Sequence, residues 1–171
     1  MYNFDSFDSF ITSTLGQTIG QGECWDYINL IWSHLGGVYY TYPPSDPSST
    51  NHGVKWGVLD PEALTANQLS GLTYISDKTQ IKRGDIVVST GGEFGHAGFI
   101  NEDYDGDKTY ALYTQNYNDR RSVALDYYTL NDFGGAFRYD AWTPTPPVTR
   151  ETNFKWVLYA RKLRNRSQNM L

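Results

Sequence analysis

The chain is poor in cysteine and has no long hydrophobic run, and each absence excludes a class of protein. Cys24 is the only cysteine among 171 residues, which excludes a disulfide framework and a multi-cysteine zinc site within the chain. No stretch approaches the ~18 consecutive apolar residues of a membrane-spanning helix. The first residues are acidic and polar and lack the basic and apolar regions of a secretory signal, so we expect no signal peptide.

Positive charge is scarce outside the C-terminal end. Residues 150–171 carry six basic side chains and one acidic side chain, a net charge of +5, which leaves −10 on the rest of the chain. An acidic body argues against nucleic-acid binding. The length fits one domain, which we place at 1–142, followed at 143–171 by a Pro-rich linker and a basic tail. This tail is either a docking segment for a partner chain or an edge strand with a solvated end.

Aromatic residues and glycine are abundant, which favours strands and tight turns. Apolar residues at helical spacing predict an N-terminal helix around 4–11 and a second helix that begins near Glu23 and stops at Gly36-Gly37. A further helix is predicted at 61–70 and a strand at 154–159. Six more strands are predicted, at Leu72–Ile75, Asp85–Ser89, His96–Asn101, Thr109–Thr114, Ser122–Tyr127 and Ala136–Tyr139. The sequence therefore predicts an α+β fold in which N-terminal helices pack on an antiparallel sheet.

Cys24 lies where the second predicted helix begins, in Gly22-Glu23-Cys24-Trp25-Asp26-Tyr27. A cysteine attacks as its thiolate, and the unpaired N–H groups and positive dipole end of a helix N-terminus stabilise that form. A neighbouring imidazolium stabilises it further. A lone cysteine is also commonly a small buried apolar residue, so this pattern alone leaves a structural role open.

His96 is the strongest candidate base among the three histidines. It follows a Gly-rich turn, and two small residues after it leave a strand face open for a substrate. His34 lies about ten residues or ~15 Å along the Cys24 helix, and His52 lies in an irregular region rich in Pro and Ser. A structural role for His96 also stays open on this pattern.

Asn116 is the candidate third group, because a catalytic imidazole needs a partner that fixes its tautomer and orientation. The hairpin turn at Asp105-Gly106 can place Asn116 beside the His96 strand. The order thiol, histidine, amide is that of a papain-like cysteine hydrolase. Alternating aspartates at 103, 105 and 107 lack the later Glu of an EF-hand, and we expect neither a metal nor another cofactor.

Together these segments resemble the CHAP family, the cysteine, histidine-dependent amidohydrolases and peptidases. The resemblance covers roughly residues 15–140. It rests on Gly22-Glu23-Cys24-Trp25-Asp26-Tyr27, Lys82-Arg83-Gly84-Asp85-Ile86-Val87-Val88, Gly95-His96-Ala97-Gly98-Phe99-Ile100, Gln115-Asn116-Tyr117 and Phe133-Gly134-Gly135-Ala136-Phe137-Arg138. It implies a papain-like α+β fold and cleavage of bacterial peptidoglycan, either at the amide that joins glycan to peptide or within the peptide.

The resemblance also implies roles for individual residues and a source. The catalytic residues would be Cys24 as nucleophile, His96 as general base and then acid, and Asn116 as orienter, and the substrate-binding residues would be Trp25, Gly95, Gln115 and Tyr117. Many family members are phage lysins, so we expect an enzyme carried on a phage tail in the virion or a free endolysin that acts at the host cell wall. The basic tail would then contact another phage tail protein.

Two positions depart from the family pattern. Glu23 stands where members often have Gln, and Thr114 stands where they often have Glu. Glu23 would place a negative charge beside a developing oxyanion unless it points away, and Thr114 cannot give His96 a carboxylate. These departures favour an alternative, a non-catalytic papain-like structural or binding module of a phage tail. A bacterial amidase of the related NlpC type is a third interpretation.

Overall fold

Two helices precede six strands in the part of the chain that the computed structural model describes, residues 2–34, 72–106 and 109–142. The elements are α1 Phe7–Thr14, α2 Cys24–His34, β1 Leu72–Ile75, β2 Ile86–Ser89, β3 His96–Ile100, β4 Thr109–Thr114, β5 Ala124–Thr129 and β6 Phe133–Tyr139. Each of the six strands predicted between residues 72 and 139 lies within three residues of an observed one. The helix predicted at 61–70, the strand predicted at 154–159 and the linker and tail at 143–171 lie outside the described residues.

The six strands form one antiparallel sheet in the order β1-β6-β2-β3-β4-β5. In the β2–β3 pair Ser89 lies opposite His96, and in the β3–β4 pair Phe99 lies opposite Tyr113. Because β3 and β4 are antiparallel, the first residue of β3 lies beside the end of β4. This topology brings His96 next to the segment that begins at Thr114.

The two helices cover one face of this sheet. Phe10 of α1 and Tyr27 of α2 stack with ring centroids 5.2 Å apart, and the rings of both contact Phe99 of β3. A second apolar cluster fills the opposite face, and the successive buried residues Val87 and Val88 belong to different clusters, as the period-2 pattern of a strand requires. The predicted fold class, N-terminal helices packed on an antiparallel sheet, is confirmed. Neither described helix has the length and hydropathy needed to cross a membrane.

Candidate active site

The loop before α2 fixes the position of Cys24. Gly20 and Gly22 have φ angles of +58° and +86°, a region that glycine enters without steric cost. A Cβ atom at Gly20 would lie 2.6 Å from Cγ of Asp26, and one at Gly22 would lie 2.9 Å from Cβ of Arg121. The Asp26 carboxylate, in the first turn of α2, also accepts two backbone N–H groups of the loop at 2.8 and 3.1 Å. The loop therefore closes tightly onto the helix that Cys24 begins.

Gln115 holds the same loop from the opposite side. Its side chain is fully buried, and Oε1 accepts the backbone N–H of Ile19 at 3.1 Å. Its Nε2 donates to the carbonyl oxygen of Ile19 at 2.9 Å and to that of Glu23 at 2.6 Å. All of these contacts are to backbone, so this geometry gives Gln115 a loop-holding role in place of the substrate contact expected from the sequence.

The Cys24 thiol is buried beside the start of β3, with 9% of the residue exposed. Burial raises the pKa of the thiol to about 11, against the opposite effect of a hydrogen bond from the backbone N–H of Ala97 and a weaker one from that of Trp25. The carboxylates of Glu23 and Asp26 add to the rise. Because Ala97 directly follows His96, the helix start and the histidine strand meet at this thiol. The thiol is protonated at neutral pH, whereas a helix N-terminus alone would favour the thiolate.

The Thr114 hydroxyl fixes the tautomer of His96. Oγ1 of Thr114 lies 2.8 Å from Nε2 of His96 and 2.7 Å from the carbonyl oxygen of Ala97. A carbonyl only accepts, so the single hydroxyl proton points to Ala97, and the hydroxyl accepts a proton from Nε2. These partners assign the Nε2–H tautomer, which leaves Nδ1 as the unprotonated, basic nitrogen.

The imidazole of His96 is neutral at physiological pH. Burial lowers its pKa from 6.5 to about 4, and the Asp126 carboxylate acts in the opposite direction. A neutral thiol therefore lies beside the strand of a neutral imidazole. Such a pair suits general-base catalysis, in which the proton moves as the sulfur attacks.

Asn116 contacts Glu23 instead of His96. Its φ angle of +62° turns the chain out of the strand direction immediately after β4, and its backbone N–H donates to the Arg120 carbonyl at 2.7 Å. The side-chain amide, through Nδ2, donates to a carboxylate oxygen of Glu23. Thr114, the last residue of β4, contacts Nε2 of His96 and holds the orienting place that the sequence analysis expected for Asn116.

The remaining expected substrate-binding residues divide between the core and the surroundings of His96. Trp25 is buried, and its ring packs edge-on against Trp32 with centroids 5.7 Å apart. Gly95 has a φ angle of +74° in the turn that leads into His96. The half-buried ring of Tyr117 lies 6.1 Å from the imidazole. Gly95 and Tyr117 are thus at the candidate site, and Trp25 contributes to packing.

Sequence reasoning missed Tyr128 and Asp126. The ring of Tyr128 stacks on the imidazole of His96 at 5.1 Å and an interplanar angle of 18°, and it also contacts Tyr117 at 4.6 Å. Its buried hydroxyl has no hydrogen-bond partner within the described residues. Asp126, two residues earlier on β5, is buried, and its carboxylate accepts hydrogen bonds from both terminal nitrogens of Arg120. The sequence held one signal for this pair: a charged residue, Asp126, stands inside a predicted strand, and a charged residue is rarely buried there without a partner.

Across the described ranges, no cluster of three or more His, Cys, Asp or Glu side chains is arranged to hold a metal ion.

Comparison with solved structures finds this fold in an endolysin, LysIME-EF1, with a TM-score of 0.54 and 20% sequence identity over 82% of the chain. The chain spans 62% of the length of that protein. Two structures of Ly7917, one of them with "the hydrolyzing product of MDP", match at TM-scores of 0.48 and 0.49 and 17% identity, over 75% and 80% of this chain and 59% and 60% of theirs. No family model matches the sequence, and no curated protein matches it significantly. At 20% identity, the likeness to LysIME-EF1 establishes the fold.

Proposed function

We propose that this chain is a peptidoglycan hydrolase in which Cys24 is the nucleophile and His96 the general base. One observation carries the proposal. The thiol of Cys24, at the first residue of α2, accepts a hydrogen bond from the backbone N–H of Ala97, which directly follows His96. Nε2 of His96 is hydrogen-bonded to the hydroxyl of Thr114. The fold shared with an endolysin and the CHAP-like motifs support peptidoglycan as the substrate.

The tautomer of His96 defines the proton path. Nδ1 accepts the thiol proton while Sγ of Cys24 attacks the carbonyl carbon of an amide, and the imidazolium keeps its Nε2–H bond to Thr114. The imidazolium then returns this proton to the departing amine, and a thioester forms on Cys24. Water then attacks the thioester carbonyl while Nδ1 takes its proton. The C–S bond breaks, the imidazolium returns that proton to sulfur, and the carboxylate product leaves with its own proton lost to solvent. Backbone N–H groups at the start of α2 would stabilise the oxyanion of each tetrahedral intermediate.

The finer assignment follows the CHAP resemblance. The bond cleaved is the amide between glycan and peptide or a bond within the peptide, and the enzyme is a bacteriophage lysin. We propose that it acts either from the virion, on the phage tail, or as a free endolysin at the host wall. The basic segment 150–171, which lies outside the described residues, would provide the contact with phage tail proteins.

Digestion of purified bacterial cell walls tests this function. Wild-type protein should release fragments, and mass spectrometry of the new amine and carboxylate ends should identify the bond cleaved. Cys24→Ala and His96→Ala should keep the fold, measured by circular dichroism, and release nothing above background. His34→Ala, on the exposed last residue of α2, is the matched control and should cleave at the wild-type rate. Equal cleavage by Cys24→Ala and wild type would refute the proposal.

The burial of Cys24 favours a second candidate, a non-catalytic papain-like module of a phage tail. A thiol with 9% exposure and a pKa raised to about 11 is also what a structural cysteine shows. Thr114 in place of a carboxylate points the same way. This candidate predicts that folded wild-type protein binds wall fragments or tail proteins without cleaving any bond.

A further inference from the structure

Three side chains meet at the residue that precedes Cys24, and we name them the Glu23 clamp: Glu23, Asn116 and Arg121. One carboxylate oxygen of Glu23 accepts the side-chain amide of Asn116, and the other pairs with the guanidinium of Arg121. The side chains of Glu23 and Arg121 are each 49% exposed. Gly22 lets Arg121 approach, because a Cβ there would lie 2.9 Å from Cβ of Arg121.

The backbone between β4 and β5 is shaped to bring these two donors to one carboxylate. Asn116, Asn118 and Asp119 have φ angles of +62°, +50° and +61°, a left-handed region that L-residues enter at a cost. Such conformations persist where the surrounding structure holds them, and they concentrate at functional sites. The backbone N–H of Asn116 closes the turn on the Arg120 carbonyl at 2.7 Å. The turn therefore presents the side chains at 116 and 121 to the loop before Cys24.

The reason for the clamp is electrostatic. An exposed ion pair contributes little to the free energy of unfolding, so stability alone does not account for two donors on one carboxylate. The negative charge of Glu23 acts directly on the neighbouring thiol and disfavours its thiolate. A positive guanidinium and an amide N–H on the same carboxylate offset that charge and hold it in the direction of the 116–121 turn.

We propose that Arg121, assisted by Asn116, is a positioning residue that neutralises Glu23 and turns it away from Cys24, so that the nucleophile functions beside an acidic residue. The inference rests on the proposed role of Cys24 as nucleophile. It explains how Glu23, which departs from the family pattern, is tolerated beside Cys24. It also gives a function to Asn116, whose side chain contacts Glu23 instead of His96.

The test is the pH dependence of Cys24 alkylation by iodoacetamide, followed by mass spectrometry. Cys24 is the only cysteine, so the labelling rate reports one thiol. Arg121→Gln should raise the apparent thiol pKa and slow alkylation near neutral pH about two- to fivefold, the range of an exposed charge pair. Arg121→Lys should retain most of the wild-type rate. In a Glu23→Gln background, Arg121→Gln should have a clearly smaller effect, because no carboxylate is left to hold away from the thiol and only the direct field of the guanidinium is lost.

Lys82→Gln is the matched control. It removes one positive charge from the exposed Lys82–Asp103 ion pair. Lys82 precedes β2, whose opposite end pairs with His96, so this charge lies away from the site. It should leave alkylation unchanged. The inference is wrong if Arg121→Gln leaves the alkylation profile unchanged, or if its effect persists undiminished in the Glu23→Gln background. Wall digestion separates the two proposals. A wild-type protein that cleaves nothing refutes the hydrolase, while an Arg121→Gln shift that shrinks in the Glu23→Gln background still establishes the clamp.

Discussion

The half-buried imidazole of His96 couples the stability of the fold to pH. Burial lowers its pKa from 6.5 to about 4 in the folded protein, while the unfolded chain binds the proton near pH 6.5. Between these pH values the unfolded state carries a proton on His96 that the folded state does not. Stability from this residue is therefore fully present above pH 6.5 and is lost as the pH falls towards 4.

The size of this loss follows from the two pKa values. One pKa unit corresponds to ~1.4 kcal/mol, so the free energy of unfolding should fall by about 2 kcal/mol at pH 5 and by about 3 kcal/mol near pH 4. His96→Gln removes the titrating group and keeps an amide that can reach the Thr114 hydroxyl. All other titrating groups are common to both proteins, so the difference between them isolates the imidazole.

Urea unfolding followed by tryptophan fluorescence, near pH 7 and near pH 5, measures this difference. Wild-type protein should lose about 2 kcal/mol more than His96→Gln between the two conditions. Equal losses in the two proteins would show that burial does not lower the pKa of His96.

Three further predictions concern the groups around His96. Gln115→Leu removes three hydrogen bonds to the backbone of the loop before α2 and should lower the free energy of unfolding by about 2–4 kcal/mol in urea titrations. A loss under ~1 kcal/mol would contradict its loop-holding role. Gly98→Ala would place a methyl group 2.9 Å from Cβ of Thr114 and should lower both stability, by about 1–3 kcal/mol, and the rate of wall cleavage, so a variant with wild-type values in both assays would refute the close packing. Tyr128→Phe should keep most of kcat/KM for wall cleavage because the ring stack on His96 remains, while Tyr128→Leu should lose several-fold, and equal losses would refute the role of the stack.

The strands were predictable because their determinants are local. The apolar and aromatic runs and the turn residues between them are visible in the sequence, and the bounds of β1 and β4 match the prediction residue for residue. The start of α2 at Cys24 follows from the apolar stripe of the helix and the glycines before it. Cys24 and His96 were selected by chemistry and order along the chain, and the structure places the thiol against the residue after His96.

The partners of His96 were not predictable because they depend on long-range geometry. A strand continued past Thr114 would keep Asn116 on the same face as Thr114, but the left-handed conformation of Asn116 ends the alternation. Gln115 lies on the opposite face from Thr114. Its side chain hydrogen-bonds to the backbone of the loop at 19–23, and this contact becomes visible only once that loop is packed in the structure. Tyr128 reaches His96 from another strand, and a sequence with 14 tyrosines gives no reason to select it.

The most direct test of the central claim is the mass of the Cys24-containing peptide after wild-type protein is mixed with purified cell walls and quenched rapidly in acid. A cysteine hydrolase acylates its thiol in each turnover, so the account predicts a wall-derived acyl group on Cys24 as a thioester, and no adduct on the matching peptide of Cys24→Ala. Cleavage of the walls with no adduct on Cys24 and with undiminished cleavage by Cys24→Ala would contradict it.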